Sequence, residues 1–199
     1  MNGEPMAGAR AAAAEFVAQL GSNDAACLYV FATQVRQLVD CTTDHAAVIT
    51  AIEGLQTIDD TALYDALTRV TADHIQRDGR LAIVVLSDGA DTKSRATLDE
   101  AFRQVRESSI PVYTIGLLSP QFDGTVLQRL SDEADAIYLE APKVENMAEL
   151  YRRINEQLLN QYRVSFTSLF PSRREGEILI RIKRNDEAIE ITRTFTVQS

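Results

Sequence analysis

The sequence predicts an α/β fold, a doubly wound and mostly parallel sheet between two helical layers, followed by a small antiparallel β extension. Three observations carry this. Short apolar runs of strand length alternate with amphipathic stretches at helical spacing over residues 1–162. The run Leu81-Ala-Ile-Val-Val-Leu86 lies between the charged turn Arg77-Asp78-Gly79-Arg80 and a helical stretch, as a strand buried on both faces of a parallel sheet does. From Arg163 onward the pattern changes to period two, clearest in Ile178, Ile180 and Ile182.

Taken in order, a helix is expected over residues 4–20, with Ala11, Ala14, Phe16, Val17 and Leu20 on its buried side and Gly21 as its stop. Residues 25–32 read as a strand and 35–39 as its antiparallel neighbour at a sheet edge, turning near Gln34. Thr43-Asp44 can cap a helix over 45–55. A further helix over 61–76 carries Leu63, Ala66, Leu67, Val70 and Ile75 on one stripe. The strand at 81–86 is followed by a helix near 96–107, a strand over 111–117 and a short helix over 124–131. A strand at 136–139 and a long amphipathic helix over 144–162 complete the first domain. Residues 163–170, 177–184 and 188–197 are read as half-buried antiparallel strands, with Asn185-Asp186-Glu187 as the turn between the last two. The expected domains are thus 1–162 and a β-rich extension, 163–199.

Composition narrows the function. Across 199 residues, 45% are hydrophobic and 25% charged, as in a soluble globular protein. A net charge of −9 with no basic cluster larger than Arg173-Arg174 speaks against a nucleic-acid partner, which needs a basic footprint. No apolar stretch approaches the roughly 18 residues of a membrane span, and the Ala-rich start is broken by Arg10 and Glu15, unlike a signal peptide. The two cysteines, Cys27 and Cys41, have no CxxC neighbour. With only His45 and His74 beside them, no zinc-like ligand set is expected. A hairpin turning near Gln34 permits a cross-strand disulfide, but two buried thiols, the usual fate of free cysteine, are the expectation.

The most informative junction is Leu86-Ser87-Asp88-Gly89-Ala90-Asp91-Thr92. Asp88 stands at a strand's carboxyl end, where ligands bind in open α/β sheets, and Gly89 lets the chain turn sharply there. Asp88 is either a ligand residue or a turn aspartate capping the next helix. Thr61 is either a ligand residue or a plain N-cap. Asp59-Asp60 near a helix start are read as dipole partners rather than an acid–base pair. Nucleotide and hydrolase readings lack their parts: there is no G-x-S-x-G elbow, no G-x-G-x-x-G after a strand and no Walker loop.

Four segments together resemble the von Willebrand factor A domain. They are Phe31 closing the second strand, Thr61-Ala-Leu-Tyr-Asp-Ala-Leu67 opening a helix, Ala82-Ile-Val-Val-Leu-Ser-Asp-Gly-Ala-Asp-Thr92, and Ile110-Pro-Val-Tyr-Thr-Ile-Gly116. The tail beyond Tyr162 is similar to the extension found in a subset of bacterial secreted or membrane-associated members, although this chain itself shows no compartment signal. The resemblance implies a divalent cation, Mg²⁺ or Mn²⁺, at the carboxyl ends of the strands. Its ligands would come from an Asp-X-Ser-X-Ser motif after the first strand, a Thr and an Asp. The Thr and the Asp map onto Thr61 and Asp88; the first motif maps onto nothing, since Met1-Asn2-Gly3 corresponds to the stretch just after it. The first strand, which in the family lies between the strands at 25–32 and 81–86, is therefore expected to be missing, leaving two apolar edges unpaired. The implied function is a non-enzymatic protein-binding module, in which an acidic group on a partner completes the metal shell in the intact parent, with an incomplete metal site expected in this chain. The alternative is a structural or degenerate module that binds without metal.

Overall fold

The computed structural model describes residues 4–56, 60–77, 79–117, 122–134, 136–141, 152–154, 156, 175–184 and 187–196. The chain parts into two compact units, Met1–Gln161 and Tyr162–Ser199. In the first, the elements run α1 (Glu4–Ala18), β1 (Ala26–Phe31), β2 (Val35–Thr42), α2 (His45–Glu53), α3 (Leu63–His74), β3 (Ile83–Ser87), α4 (Leu98–Ser108), β4 (Val112–Leu117), α5 (Gly124–Glu133) and β5 (Tyr138–Ala141). In the second they are β6 (Glu175–Arg184) and β7 (Glu187–Thr196). The expected helix over 144–162 and strand over 163–170 fall almost wholly outside the described residues.

β3, β4 and β5 form a parallel sheet with β4 in the middle, in register Val84 with Tyr113 and Ile115 with Leu139. Side chains of a strand alternate between faces, and β4 shows what that accomplishes. Tyr113, Ile115 and Leu117 pack on one side with Ala9 of α1, Leu139 and Ile154. Val112 faces the other side, with Leu63 and Leu67 of α3, Ala101, Phe102 and Val105 of α4 and Leu127 and Leu130 of α5. These are the two helical layers. Thr114 brings a hydroxyl into the second layer without cost: it donates to the Leu127 carbonyl at 2.9 Å and meets Ser131 Oγ at 2.7 Å, and Ser131 bonds the Val112 carbonyl.

β1 and β2 form a separate antiparallel hairpin, with Phe31 opposite Val35 and Ala26 opposite Thr42. It packs on α1 and α2 through Leu28, Val39, Val17, Val48 and Ile52. Asp44 caps α2 by accepting from Ala47 N at 3.2 Å, and Arg10 of α1 donates to the Glu53 and Leu55 carbonyls at the other end. β1 runs the same way as β3. Thr33, just past β1, bonds Asp60 while neighbouring Thr61 bonds Thr92, just past β3; at the opposite end Arg77, leading into β3, lies 3.9 Å from Cys27 Sγ near the start of β1.

The two sheets are not hydrogen-bonded to one another. The free edges of β1 and β3 line a slot of about 1690 Å³, walled by Ala9, Ala13 and Phe16 of α1 and by Leu63, Leu67 and Val70 of α3. This is where the resemblance puts the family's first strand, and the sheet has not closed over it. The slot also explains a departure from the sequence reading. The strand at 81–86 is expected to be buried on both faces, yet Ile83, Val84 and Leu86 are only half-buried, and full burial of every residue falls on β4 instead. All six residues of β1 are likewise half-buried. Both edges border this open slot and are largely half-buried, so their unpaired backbone groups do not carry the full penalty of burial.

The second unit is a two-stranded hairpin in continuous register from Glu175 with Thr196 to Arg184 with Glu187. Ile180 pairs with Ile191 and Ile182 with Ile189, and Arg181 forms an ion pair with Glu190 across the strands. Leu179, Ile182 and Ile189 are exposed.

Candidate functional site

The loop after β3 and the start of α3 are laced together. The Thr61 carbonyl accepts from Thr92 N at 2.9 Å and Lys93 N at 3.0 Å, and Thr61 N donates to Thr92 Oγ1 at 3.0 Å. Helix α3 has Ala62 at its N-cap and no cap from its own side chains. Its orphan amides are served by the other loop: Tyr64 N donates to Asp91 Oδ2 at 3.0 Å and Asp65 N to Ser94 Oγ at 2.9 Å. Asp65 returns the contact, accepting from Arg95 N and Ala96 N. Asp91 also binds Ser94 through both its amide and its hydroxyl. Burial and the nearby carboxylates of Asp91 and Asp123 push the Tyr64 phenol up from its ordinary pKa.

Thr61 is therefore not the N-cap of α3, and Asp88 does not cap α4. That helix is opened by a capping box in which Thr97 and Glu100 serve each other's amides. Asp88 instead forms a local turn, Oδ1 accepting from Ala90 N at 3.2 Å, while its carbonyl accepts from Asp123 N at 2.8 Å. Gly89 makes this contact attainable. Its φ is +83°, and a Cβ there would lie 2.1 Å from the Asp123 carbonyl oxygen. Thr61 and Asp88, both half-buried, thus stand at the same end of the sheet, beside the slot's rim.

Among the described residues, those at this end do not complete a site for a hard divalent cation, which takes about six oxygens. Thr61 carries one hydroxyl and Asp88 one carboxylate, whose Oδ1 already accepts from Ala90 N. Asp91 and Asp65 are taken by amides, Asp60 by Thr33 and Lys93, and Asp123 by Thr125 N at the start of α5. Sequence reasoning did not single out Asp65 or Ser94; the one signal was an acidic residue, Asp65, in the first turn of α3, and Ser94 lies in the loop before α4 with none.

The other departure concerns sulfur. Cys27 and Cys41 are joined in a disulfide rather than held as two thiols. His74, around which no zinc-like ligand set is expected from the sequence, contacts Tyr29 and has a ring nitrogen within 4.8 Å of both sulfurs, a proximity the spacing did not announce. His45 binds the Asp24 carbonyl at 2.7 Å. Among the described residues no helix is long and apolar enough to cross a membrane.

The fold is shared with solved structures. The chain is similar to a von Willebrand factor type A protein from Catenulispora acidiphila, with a TM-score of 0.66 at 12% identity over 97% of this chain and 51% of that one. It is similar to an aerotolerance-related membrane protein from Bacteroides fragilis, solved with multiple mutations to serines, at a TM-score of 0.64 and 18% identity over 78% of this chain and 89% of that one. BatB from Bacteroides thetaiotaomicron gives a TM-score of 0.64 at 16% identity, with the same coverage. No curated protein matches by sequence. Identities this low speak for the fold alone, but the family model for the von Willebrand factor type A domain matches residues 1–153, and the chain belongs to that family.

Proposed function

We propose that this chain is a protein-binding module rather than an enzyme, and that it engages its partner at the end of the sheet where Thr61 and Asp88 stand. Domains of this family mediate protein interactions. The observation that carries the reading is the lacing of the α3 start to the loop after β3, which holds those two residues at one rim. Such interlocking fixes a surface in advance, so little ordering entropy remains to be lost on binding.

The rim is acidic, with Asp60, Asp65, Asp88, Asp91 and Asp123 clustered in it. An acidic group on a partner would be repelled there unless a cation lay between the two. That supports metal-dependent capture, with Mg²⁺ or Mn²⁺ shared between Asp88, Thr61 and the partner. The hydrogen bonds and ion pair that occupy Asp60, Asp65, Asp91 and Asp123 among the described residues support the second reading, binding without metal.

Calorimetry separates them. Mg²⁺ and Mn²⁺ are titrated into the protein with and without an aspartate-bearing peptide in excess. Peptide-dependent metal uptake that disappears in Asp88→Ala supports the shared cation. Peptide binding that is unchanged by a chelator supports the metal-free mode. If no acidic, basic or apolar peptide from a displayed library discriminates the parent from Asp88→Ala and Thr61→Ala, the assignment of this rim fails.

A further inference from the structure

At the other end of α3, about a helix length from Thr61, three soft ligands meet. Cys27 lies on β1, Cys41 on β2 and His74 in the last turn of α3, with one ligand atom of each within 4.8 Å of the others. Tetrahedral coordination at Zn–S of about 2.3 Å and Zn–N of about 2.0 Å sets ligand atoms about 3.5–3.8 Å apart, a spacing the two sulfurs can take up only once the bond between them is reduced. All three residues are half-buried, and each is held in a regular element of the fold.

A second observation points the same way. The Tyr29 hydroxyl donates its one hydrogen to Asp73 Oδ2 at 3.1 Å, so toward His74 Nε2, also at 3.1 Å, it must accept. Nε2 then carries the proton, and Nδ1 presents a lone pair. This is the arrangement that orients a metal-binding imidazole, a ring N–H held by a polar group that is itself held by a carboxylate. A cationic group already occupies the neighbourhood: Arg77 Nη1 lies 3.5 Å from Nδ1 and 3.9 Å from Cys27 Sγ, on an exposed side chain able to swing into solvent.

We propose that Cys27, Cys41 and His74 form a redox-gated site for a thiophilic divalent cation such as Zn²⁺, closed by the disulfide and opened by its reduction. A dithiol reductant supplies two electrons and two protons, becoming a cyclic disulfide while the Cys27–Cys41 bond becomes two thiols. The cation then displaces one proton from each thiol, takes Nδ1 as a third ligand and keeps water as the fourth. Tyr29 is a positioning residue, acting through His74.

The test uses Co²⁺ as a spectroscopic stand-in for Zn²⁺, added to the whole chain after phosphine reduction and desalting under nitrogen. The reduced protein is expected to develop a thiolate-to-cobalt charge-transfer band that saturates at a single equivalent and is bleached by Zn²⁺. The oxidised protein should show none. His74→Gln and Tyr29→Phe keep the disulfide and so report on folded protein. The first should weaken Co²⁺ binding at least tenfold and the second roughly tenfold, and Cys41→Ser should abolish the band. Equal binding by oxidised and reduced protein, or His74→Gln within twofold of the parent, overturns the proposal.

Discussion

Gly89 sits where two loops touch, and two features of the position call for glycine. Its φ of +83° is disfavoured for side chains with a Cβ, and such a Cβ would overlap the Asp123 carbonyl. Gly89→Ala should therefore destabilise the domain by about 1–3 kcal/mol from backbone strain, with further loss as the Asp88–Asp123 hydrogen bond is forced open. Urea unfolding checks it, and a midpoint equal to the parent's would show that the loop simply moves aside. The Gly was legible in sequence as a turn; its closeness to residue 123 was not, because 34 positions of chain separate them and only the fold brings the loops together.

Among the elements, α4 carries its own start signal. Thr97 accepts from Glu100 N, and the Glu100 carboxylate accepts from Thr97 N at 2.8 Å, which holds the Glu100 pKa below its usual value. A carboxylate whose folded pKa is depressed contributes stability above its unfolded pKa, near 4.3, and that contribution is lost as pH falls through the folded value. Glu100→Gln should thus flatten the acid side of the stability curve, read as thermal midpoints from pH 6 down to pH 3. Thr97→Ala should cost about 0.5–2 kcal/mol at neutral pH. A slope below pH 5 that is the same in Glu100→Gln and parent would remove Glu100 from the account. Helix α3 differs, since its cap is borrowed from Asp91 and Ser94 across the loop, and that is why Thr61 looked like an N-cap in sequence and is not one.

For the whole molecule the decisive feature is the slot between β1 and β3. Its edges are short, apolar and unpaired, a combination that templates pairing with other chains. The 199-residue chain should therefore self-associate with rising concentration. Lengthening it at the N-terminus with an apolar strand that can lie between the two edges should raise the thermal midpoint and suppress that association, because backbone groups are satisfied and apolar area is buried at roughly 25 cal/mol per Å². Size-exclusion profiles and melts of the two forms side by side decide the matter. A lengthened form that melts no higher would mean that the slot does not admit a strand.

The sequence by itself determined the class of fold and, among the described residues, the order of the elements and the pairing partners within each hairpin. These follow from local periodicity and turn chemistry, which act over a few residues. It also placed Thr61 and Asp88 as site candidates, since a strand's carboxyl end is recognisable from the apolar run that stops there. Tertiary structure alone decided what those residues touch, that burial concentrates on β4 because β3 borders an open slot, and that Cys27, Cys41 and His74 meet. The last case shows the physical reason most directly. Cys41 and His74 lie 33 positions apart on different elements, and their approach depends on a helix packing against a hairpin, a contact set by side-chain shape over the whole interface that no local spacing encodes.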